Sequence, residues 1–392
     1  MKEIYILEGA RTAFGSFGGA LKDMDLTLLG TIVSKEAIKR SSISPENIDL
    51  SVLGNVIHSS KNAPYLARHI ALQTGIPIAS PALTVNRLCG SGLQAVISAA
   101  QSIKLDEGEV ALAIGAENMS LSPYAIRGSR FGTKLGKPQI DDMLWAALTD
   151  KYIGCGMGVT AENLAEKYQI SREDQDEYAY LSHQRAGIAR KTGKFSEEII
   201  AVELQTRKGK KLVEEDEHIR EDTTVEKLAK LNPAFKENGT VTGGNASGIN
   251  DGAAAVVIAG EEFVQKNDVS PVAKIISWGV SGVDPAIMGI GPVAAIKIAL
   301  ERANLTLDDM DLFEINEAFA AQYIAVEKEL GLNREKVNVN GGAIALGHPI
   351  GASGTRVLYS LIQELKRQHA KYGVVSLCIG GGQGIAMIVE AL

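Results

Sequence analysis

Short, almost continuous runs of apolar residues recur along this chain, separated by longer amphipathic stretches. Such runs are typical of strands that are buried on both faces. In two of the intervening stretches, residues 93–103 and 357–365, apolar side chains recur with the 3.6-residue period of a helix. This alternation predicts an α/β architecture. The strand-like runs lie at residues 4–7, 110–114, 253–258, 272–276, 337–339 and 374–377.

The two helix patterns belong to a repeated order of features. Cys89 and the small residues after it open a helix that leads to the strand at 110–114 and then to a glycine. His348 and the small residues after it open a helix that leads to the strand at 374–377 and again to a glycine. The order indicates either a duplicated half or a chance repeat. A duplication would relate the two helix starts by pseudo-symmetry and let them converge on one site.

The middle of the chain, residues 121–248, is richer in charge and in irregular sequence. A basic cluster at 207–211 is followed by an acidic one at 214–217. Two interpretations stay open. The clusters are either two solvated strand edges or part of an inserted loop domain whose basic residues face a phosphate-bearing ligand.

Composition narrows the classes of function. The 392 residues carry a formal net charge of -7, whereas a general nucleic-acid-binding protein is expected to be basic. Three cysteines without a CxxC pair exclude a disulfide framework and a four-cysteine zinc site, and they favour a reducing compartment. The first strand-like run begins at residue 4, which leaves no room before it for a signal peptide. We therefore expect a cytoplasmic protein that binds no nucleic acid.

One uncharged stretch, residues 372–389, approaches the length of a membrane span. Several glycines and Gln383 interrupt it. Two short strands that flank a glycine turn explain it better, so no membrane association is expected.

Cys89 is a candidate nucleophile. It precedes Gly90, Ser91 and Gly92 at a predicted helix start, where unpaired N–H groups and the positive end of the helix dipole stabilise a thiolate. The glycines let a ligand approach the backbone closely. The alternative is that Cys89 is a small buried apolar residue, the commonest role of a cysteine.

The other two cysteines are weaker candidates. Cys378 ends a strand-like run just before glycines 380–382, whose N–H groups are candidate oxyanion donors. Packing alone is the simpler explanation of Cys378. Cys155 has no partner pattern and is interpreted as structural or pocket-lining.

His348 and Asn316 also occupy suggestive positions. His348 lies between Gly347 and Pro349 among small residues, which is an unfavourable place for a core histidine. Asn316 opens a predicted helix, where it either caps the helix or orients a water molecule. The remaining histidines show no metal-ligand spacing, and neither a complete GxGxxG after the first strand nor a Walker motif is present. We expect no metal and no bound cofactor.

Taken together, five segments of the chain resemble the thiolase family in order and spacing. They are CGSG at 89–92, NASGINDGA at 245–253, NEAF at 316–319, NVNGGAIALGHP at 338–349 and CIGGG at 378–382. The resemblance covers essentially the whole chain. It implies an acyltransferase that condenses two acetyl-CoA to acetoacetyl-CoA and free CoA, or cleaves a longer 3-ketoacyl-CoA with CoA.

The resemblance also implies roles for the candidate residues. Cys89 would be the nucleophile that takes up the acyl group, and His348 would activate it. Cys378 would move the proton at the carbon next to the thioester carbonyl, a task suited to a thiol with a lowered pKa. One oxyanion hole would consist of His348 and a water held by Asn316. The other would consist of the N–H groups of Cys89 and Gly380.

By resemblance, the inserted middle would hold the coenzyme A tail, with Arg220 suited to the nucleotide end and Phe235 and Met157 to the pantetheine. The chain departs from short-chain biosynthetic members at Gly156, where those have histidine before the methionine. This difference predicts space for a longer or different acyl group. The six implied contacts are Leu148, Met157, Arg220, Phe235, Ser247 and Phe319.

For the fold, the resemblance implies a five-layered αβαβα arrangement of two similar halves, with an inserted loop domain in the first. The first half would comprise residues 1–120 and 249–270, the insertion 121–248, and the second half 271–392. The insertion would carry CoA binding and oligomer contacts, in a homotetramer or homodimer.

Three alternatives to a thiolase are considered. A CoA-binding or acyl-binding protein without turnover is disfavoured because all four positions that carry chemistry in the family hold a suitable residue here. They are Cys89, Asn316, His348 and Cys378. A ketoacyl-synthase-like enzyme would have histidine or asparagine where this chain has Cys378. A cysteine protease built on Cys89, His348 and Asn316 would have no use for a second proton-handling thiol.

Overall fold

The computed structural model describes residues 2–132, 135–207 and 209–392. Within these residues the strands are β1 Ile4–Thr12, β2 Gly15–Ser16, β3 Leu50–Gly54, β4 Ala82–Val85, β5 Val110–Asn118, β6 Tyr124–Arg127, β7 Gln139–Asp142, β8 Thr149–Asp150, β9 Cys155–Gly156, β10 Ile199–Ile200, β11 Val202–Thr206, β12 Gly209–Val213, β13 Asn250–Gly260, β14 Ala273–Gly282, β15 Leu312–Ile315, β16 Tyr372–Ile379 and β17 Gln383–Ala391. The helices are α1 Leu26–Arg40, α2 Leu66–Thr74, α3 Ser91–Lys104, α4 Met143–Ala147, α5 Met157–Lys167, α6 Arg172–Lys191, α7 Val225–Leu228, α8 Glu261–Asn267, α9 Gly291–Ala303, α10 Ala320–Leu330, α11 Ala343–Leu346 and α12 Ser353–Gln368.

The two halves of the chain each build a sheet with a similar order of strands. In the first half the strands lie in the order β4-β3-β5-β13-β1, with β3 parallel to β5 and with β13 antiparallel to both of its neighbours. In the second half the order is β15-β16-β17-β14, with one parallel pair followed by two antiparallel pairs, where the first half has two parallel pairs followed by two antiparallel pairs. The sheets join edge to edge where three residues of β1 pair with three of β14. The repeated order of features in the sequence therefore reflects a repeated fold.

Five layers result, with α3 and α12 between the two sheets. Strand β13 shows how: Val256 and Ile258 pack into the central core with α3 and α12, whereas Val257 packs into an outer core with α1 and α2. Helices α9 and α10 cover the outer face of the second sheet. Because both faces of these strands are buried, near-continuous apolar runs identified them correctly.

One strand prediction was wrong. Residues 337–339 form only an isolated bridge between Val337 and Phe313. Asn338 has a positive φ of 48°, and its side chain bonds the backbone of Ile315 in place of further strand pairing. The predicted helices at 93–103 and 357–365 lie within α3 and α12, and the stretch 372–389 forms β16 and β17. Nowhere in the described residues is a helix both long and apolar enough to cross a membrane.

The segment between β5 and β13 contains three hairpins, β6/β7, β8/β9 and β11/β12, together with α4 to α7. The basic and acidic clusters border the β11/β12 hairpin, where exposed Lys210 pairs with Glu203. For the basic cluster this placement agrees with a solvated strand edge, whereas Asp216 of the acidic cluster is buried. Lys208, in the basic cluster, lies outside the described residues.

A buried ion cluster ties this segment to the first sheet. Arg11 of β1 donates from Nε to Glu198 (2.8 Å) and from both Nη atoms to Asp216 (2.8 and 3.0 Å). All three side chains are almost fully buried. Removing one partner of such a cluster leaves buried charge without compensation.

Replacing Arg11 with alanine is therefore expected to lower the free energy of unfolding by about 3–5 kcal/mol, measured by urea denaturation. The matched control is Lys210→Ala, which breaks an exposed ion pair and is expected to cost under about 1 kcal/mol. Equal losses in the two variants would contradict a stabilising role of the buried cluster.

Candidate active site

Cys89 lies between β4 and α3, directly before Gly90, the N-cap residue of α3. Its side chain is partly exposed and unpaired. Burial among protein atoms raises the pKa of the thiol to about 11, while the N–H groups of Gly380 and of Cys89 itself oppose this rise. The expected stabilisation by backbone N–H groups is present, but burial outweighs it. In the free chain Cys89 is a neutral thiol.

His348 follows the short helix α11 and is held from both sides. Its backbone N–H donates to Asn250 Oδ1 (3.0 Å), and Gly347 before it has a φ of 99°, a conformation that favours glycine. The Ser353 hydroxyl donates to the Pro349 carbonyl oxygen (3.0 Å), so its oxygen accepts the hydrogen of His348 Nδ1 (2.6 Å). The other ring nitrogen, Nε2, is then free to accept a proton.

The charge state of His348 follows from its surroundings. Burial, and then the positive charge of Arg356, lower the pKa of the imidazole to about 3. His348 is therefore neutral at physiological pH and can act as a base. The side chain of Ser353 selects the tautomer that presents Nε2.

Asn316 follows β15, and its Nδ2 lies 3.4 Å from His348 Nε2. It does not cap the next helix, because α10 begins at Ala320 with Phe319 as its N-cap residue. Its buried Oδ1 has no hydrogen-bond partner among the described residues. A buried acceptor of this kind needs a partner such as water. The position therefore favours the water-orienting interpretation over the capping one.

Cys378 and Gly380 approach Cys89 from the second half. Cys378 is fully buried at the end of β16. An added Cβ on Gly90 would lie 2.6 Å from Ile379 Cδ1, so the two segments are in direct contact. Burial raises the pKa of the Cys378 thiol, and a thiolate at Cys89 would raise it further. The expectation of a lowered pKa for Cys378 is not met in the free chain.

A mainly apolar cavity of about 220 Å³ opens beside these groups. Cys89 and His348 are among its lining residues. Five of the six side chains expected to contact coenzyme A also line it, namely Leu148, Met157, Phe235, Ser247 and Phe319.

The sixth expected contact, Arg220, is exposed and is not part of the lining. Its backbone N–H donates to His183 Nδ1 (3.2 Å) in the same inserted segment. Cys155 lies in β9, beside the lining residue Gly156, and is itself not part of the lining. The structural interpretation of Cys155 therefore fits better than the pocket-lining one.

Several residues of the site were not assigned by sequence analysis. Met119, Trp145, Met288 and Ile350 complete the apolar wall of the cavity. Ser353 was visible only as a small residue at the start of a helix, and Asn250 only as part of a motif. Their functions depend on which atoms they meet across the fold.

The thiolase N-terminal domain matches residues 4–262, and the thiolase C-terminal domain matches residues 269–391. This chain belongs to the thiolase family. The thiolase fold explains the duplicated sheets and the central helix pair.

Similar thiolases support this assignment. The mitochondrial 3-ketoacyl-CoA thiolase of Homo sapiens is 52% identical over 392 residues, which are 100% of this chain and 99% of that protein. The beta-ketothiolase BktB of Cupriavidus necator is 50% identical, with 100% of both chains covered. A crystal structure of the Bacillus anthracis acetyl-CoA acetyltransferase matches with a TM-score of 0.98 at 47% identity, covering 100% of this chain and 99% of that one.

The Ser353→Ala variant tests the tautomer of His348. Loss of the hydroxyl frees Nδ1 and is expected to lower kcat for thiolysis by about tenfold or more, because a positioned base contributes about 10²–10⁴-fold. The control is Ser277→Ala, which removes a buried hydroxyl that donates to the Ala299 carbonyl oxygen. An unchanged kcat in Ser353→Ala would contradict this function of Ser353.

Proposed function

We propose that this thiolase is an acyl-CoA C-acyltransferase, acting as an acetyl-CoA C-acetyltransferase or on longer 3-ketoacyl-CoA thioesters. The observation that carries the proposal is that Cys89 and neutral His348 line one mainly apolar cavity, while the Gly380 N–H reaches the Cys89 thiol. The relatives named above include a 3-ketoacyl-CoA thiolase and an acetyl-CoA acetyltransferase. A CoA-binding protein without turnover would not need this arrangement.

Thiolysis begins at Cys89. His348 Nε2 takes the thiol proton, and the thiolate attacks the 3-keto carbon of the substrate. The N–H groups of Cys89 and Gly380 stabilise the oxyanion that forms. Because the pKa of the Cys89 thiol is raised and that of the His348 imidazole is lowered, both groups are uncharged in the free site. The ion pair between Cys89 and His348 therefore forms only when substrate is present.

Cleavage of the carbon–carbon bond releases acetyl-CoA as an enolate. The N–H now present at His348 Nε2, and a water on Asn316, hold the enolate oxygen. Cys378 donates its proton to the α-carbon. A thiol with a raised pKa is protonated at neutral pH and can therefore act as this acid.

The second half-reaction restores the site. The Cys378 thiolate takes the proton of CoA, whose thiolate attacks the acyl group on Cys89. Cys89 then leaves and recovers its proton from His348, and both cysteines end as thiols. In the acyl-enzyme Cys89 cannot carry a thiolate charge, so the contribution of that charge to the raised pKa of Cys378 is absent while Cys378 is a thiolate.

The acyl-chain preference is proposed to extend beyond acetoacetyl-CoA. An added Cβ on Gly156 would meet its nearest atom, the Leu148 carbonyl oxygen, only at 3.5 Å. The position therefore has space that a histidine would fill. Met157, beside it, contacts the Gly380 region at the reacting end of the cavity.

Assembly and compartment are also proposed. Exposed apolar side chains on the β6/β7 hairpin, Tyr124, Ile126 and Ile140, would be covered in a homodimer or homotetramer. The three free cysteines suit a reducing compartment such as the cytoplasm. The human relative is named as mitochondrial.

The Cys89→Ala variant tests the proposed activity. Loss of the nucleophile is expected to lower acetoacetyl-CoA thiolysis by more than about 10⁴-fold, measured as CoA-dependent loss of substrate. Cys155→Ala is the matched control and is expected to retain activity. An active Cys89→Ala enzyme, or a wild-type protein without turnover, would contradict the proposal.

The Gly156→His variant tests chain length. The histidine fills space in the cavity, so kcat/KM for eight-carbon 3-ketoacyl-CoA is expected to fall by about tenfold or more relative to the four-carbon substrate. A ladder of chain lengths measures the preference, with Gly156→Ala as the control. A sharp wild-type maximum at four carbons would argue against the wider preference.

A further inference from the structure

The stretch from Ala343 to Gly351, called here the His348 segment, has almost no regular structure except the single-turn helix α11. It must nevertheless place the imidazole against Asn316 and Cys89. Its backbone N–H groups bond side chains from distant parts of the chain. Two of the acceptors are buried carboxylates that the proposed reaction does not use. Glu317 accepts from the N–H of Ile344, before His348, and Glu117 accepts from the N–H of Gly351, after it.

Glu317 follows Asn316 directly and is fully buried. One oxygen accepts hydrogen bonds from the Tyr178 hydroxyl (2.7 Å) and from Asn338 Nδ2 (3.1 Å). The other accepts from the Ser182 hydroxyl (2.7 Å) and from the Ile344 N–H (3.1 Å). This carboxylate therefore connects the residue after Asn316 to the helix that precedes His348.

Glu117, at the end of β5, holds the other end of the segment. One oxygen accepts from the Gly351 N–H (3.0 Å) and from the Val56 N–H (3.0 Å). The other accepts from Asn55 Nδ2 (3.0 Å) and from the Ile57 N–H (3.1 Å). The segment is thus joined to strands of the first sheet, on the side where Cys89 lies.

The donors make a carboxylate specifically necessary. Each oxygen of Glu117 and Glu317 accepts two hydrogen bonds, and all eight donors are neutral. Burial raises the pKa of both carboxyl groups, that of Glu117 to about 8, although the donors oppose the rise by stabilising the charged form. The carboxylate form is therefore inferred from the hydrogen bonds, in which all four oxygens only accept. A glutamine would put an NH₂ group against two donors and would leave them unpaired.

We propose that Glu117 and Glu317 are positioning residues for the thiolase reaction, which together fix the His348 segment from its two ends. Glu317 sets the distance between Asn316 and His348, the pair assigned to the enolate oxygen. Glu117 sets the position of the same segment relative to the first half and Cys89. The expected effect of these residues on turnover rests on the proposed function. Their effect on the conformation of the His348 segment rests on the hydrogen bonds alone.

The experiment compares Glu117→Gln and Glu317→Gln with Glu162→Gln. Glu162 is a buried carboxylate on α5 that accepts hydrogen bonds from Thr240 and Val241 and does not contact the His348 segment. Loss of positioning is expected to lower kcat for acetoacetyl-CoA thiolysis by on the order of 10²-fold in the two test variants. KM is expected to stay within about threefold, since most of the residues that line the cavity lie outside the His348 segment. Glu162→Gln is expected to keep kcat within about twofold while losing comparable thermal stability.

Amide hydrogen exchange supplies a readout that does not need turnover. Exchange over residues 343–351 is expected to become about tenfold faster in both test variants and to stay unchanged in Glu162→Gln. If a glutamine variant does not fold, Ser182→Ala keeps the carboxylate, removes one of its donors and is expected to speed exchange over the same residues. Unchanged exchange, or an equal loss of kcat in Glu162→Gln, would overturn the proposal. A wild-type protein without turnover counts against the proposed function alone, because exchange still tests the positioning.

Discussion

The close contact between the first turns of α3 and α12 fixes how the two halves of the chain meet beside the candidate active site. An added Cβ on Gly92 would stand 2.7 Å from the backbone nitrogen of Thr355, and one on Gly354 would clash with the backbone of Leu93. Only glycine permits this contact. The Thr355 hydroxyl then donates to the Gly92 carbonyl oxygen (3.0 Å). The two helix starts that carry the reactive residues are thereby held together.

The electrostatics of the site follow from the same burial. Burial raises the pKa values of the two thiols and lowers that of the imidazole, so in the free site these three groups are neutral. The charges of the reaction form transiently, beside N–H groups that are already in place. Preorganised donors are effective in such a water-poor site because they need no reorganisation when charge develops.

Charged side chains in the interior hold the parts of the fold together. Arg11 joins β1 to the inserted segment through Glu198 and Asp216. Glu117 and Glu317 join the irregular segment around His348 to its neighbours through N–H and hydroxyl donors. A segment rich in small residues offers few side chains for packing, so hydrogen bonds to its backbone determine its conformation.

By itself, the sequence determined the α/β class, several strands of the two sheets but not β3 or β4, and the two central helices, because apolar periodicity is a local property. Motif spacing predicted Cys89, His348 and Cys378 as the reactive residues. The family resemblance implied six CoA contacts, and five of them line the cavity, whereas Arg220 does not. It could not show that residues 337–339 end their pairing at Asn338. Nor could it show that burial raises the pKa of both thiols, or that Glu117 holds Gly351. Those properties depend on desolvation and on partners far away in the chain, which only the tertiary structure brings into contact.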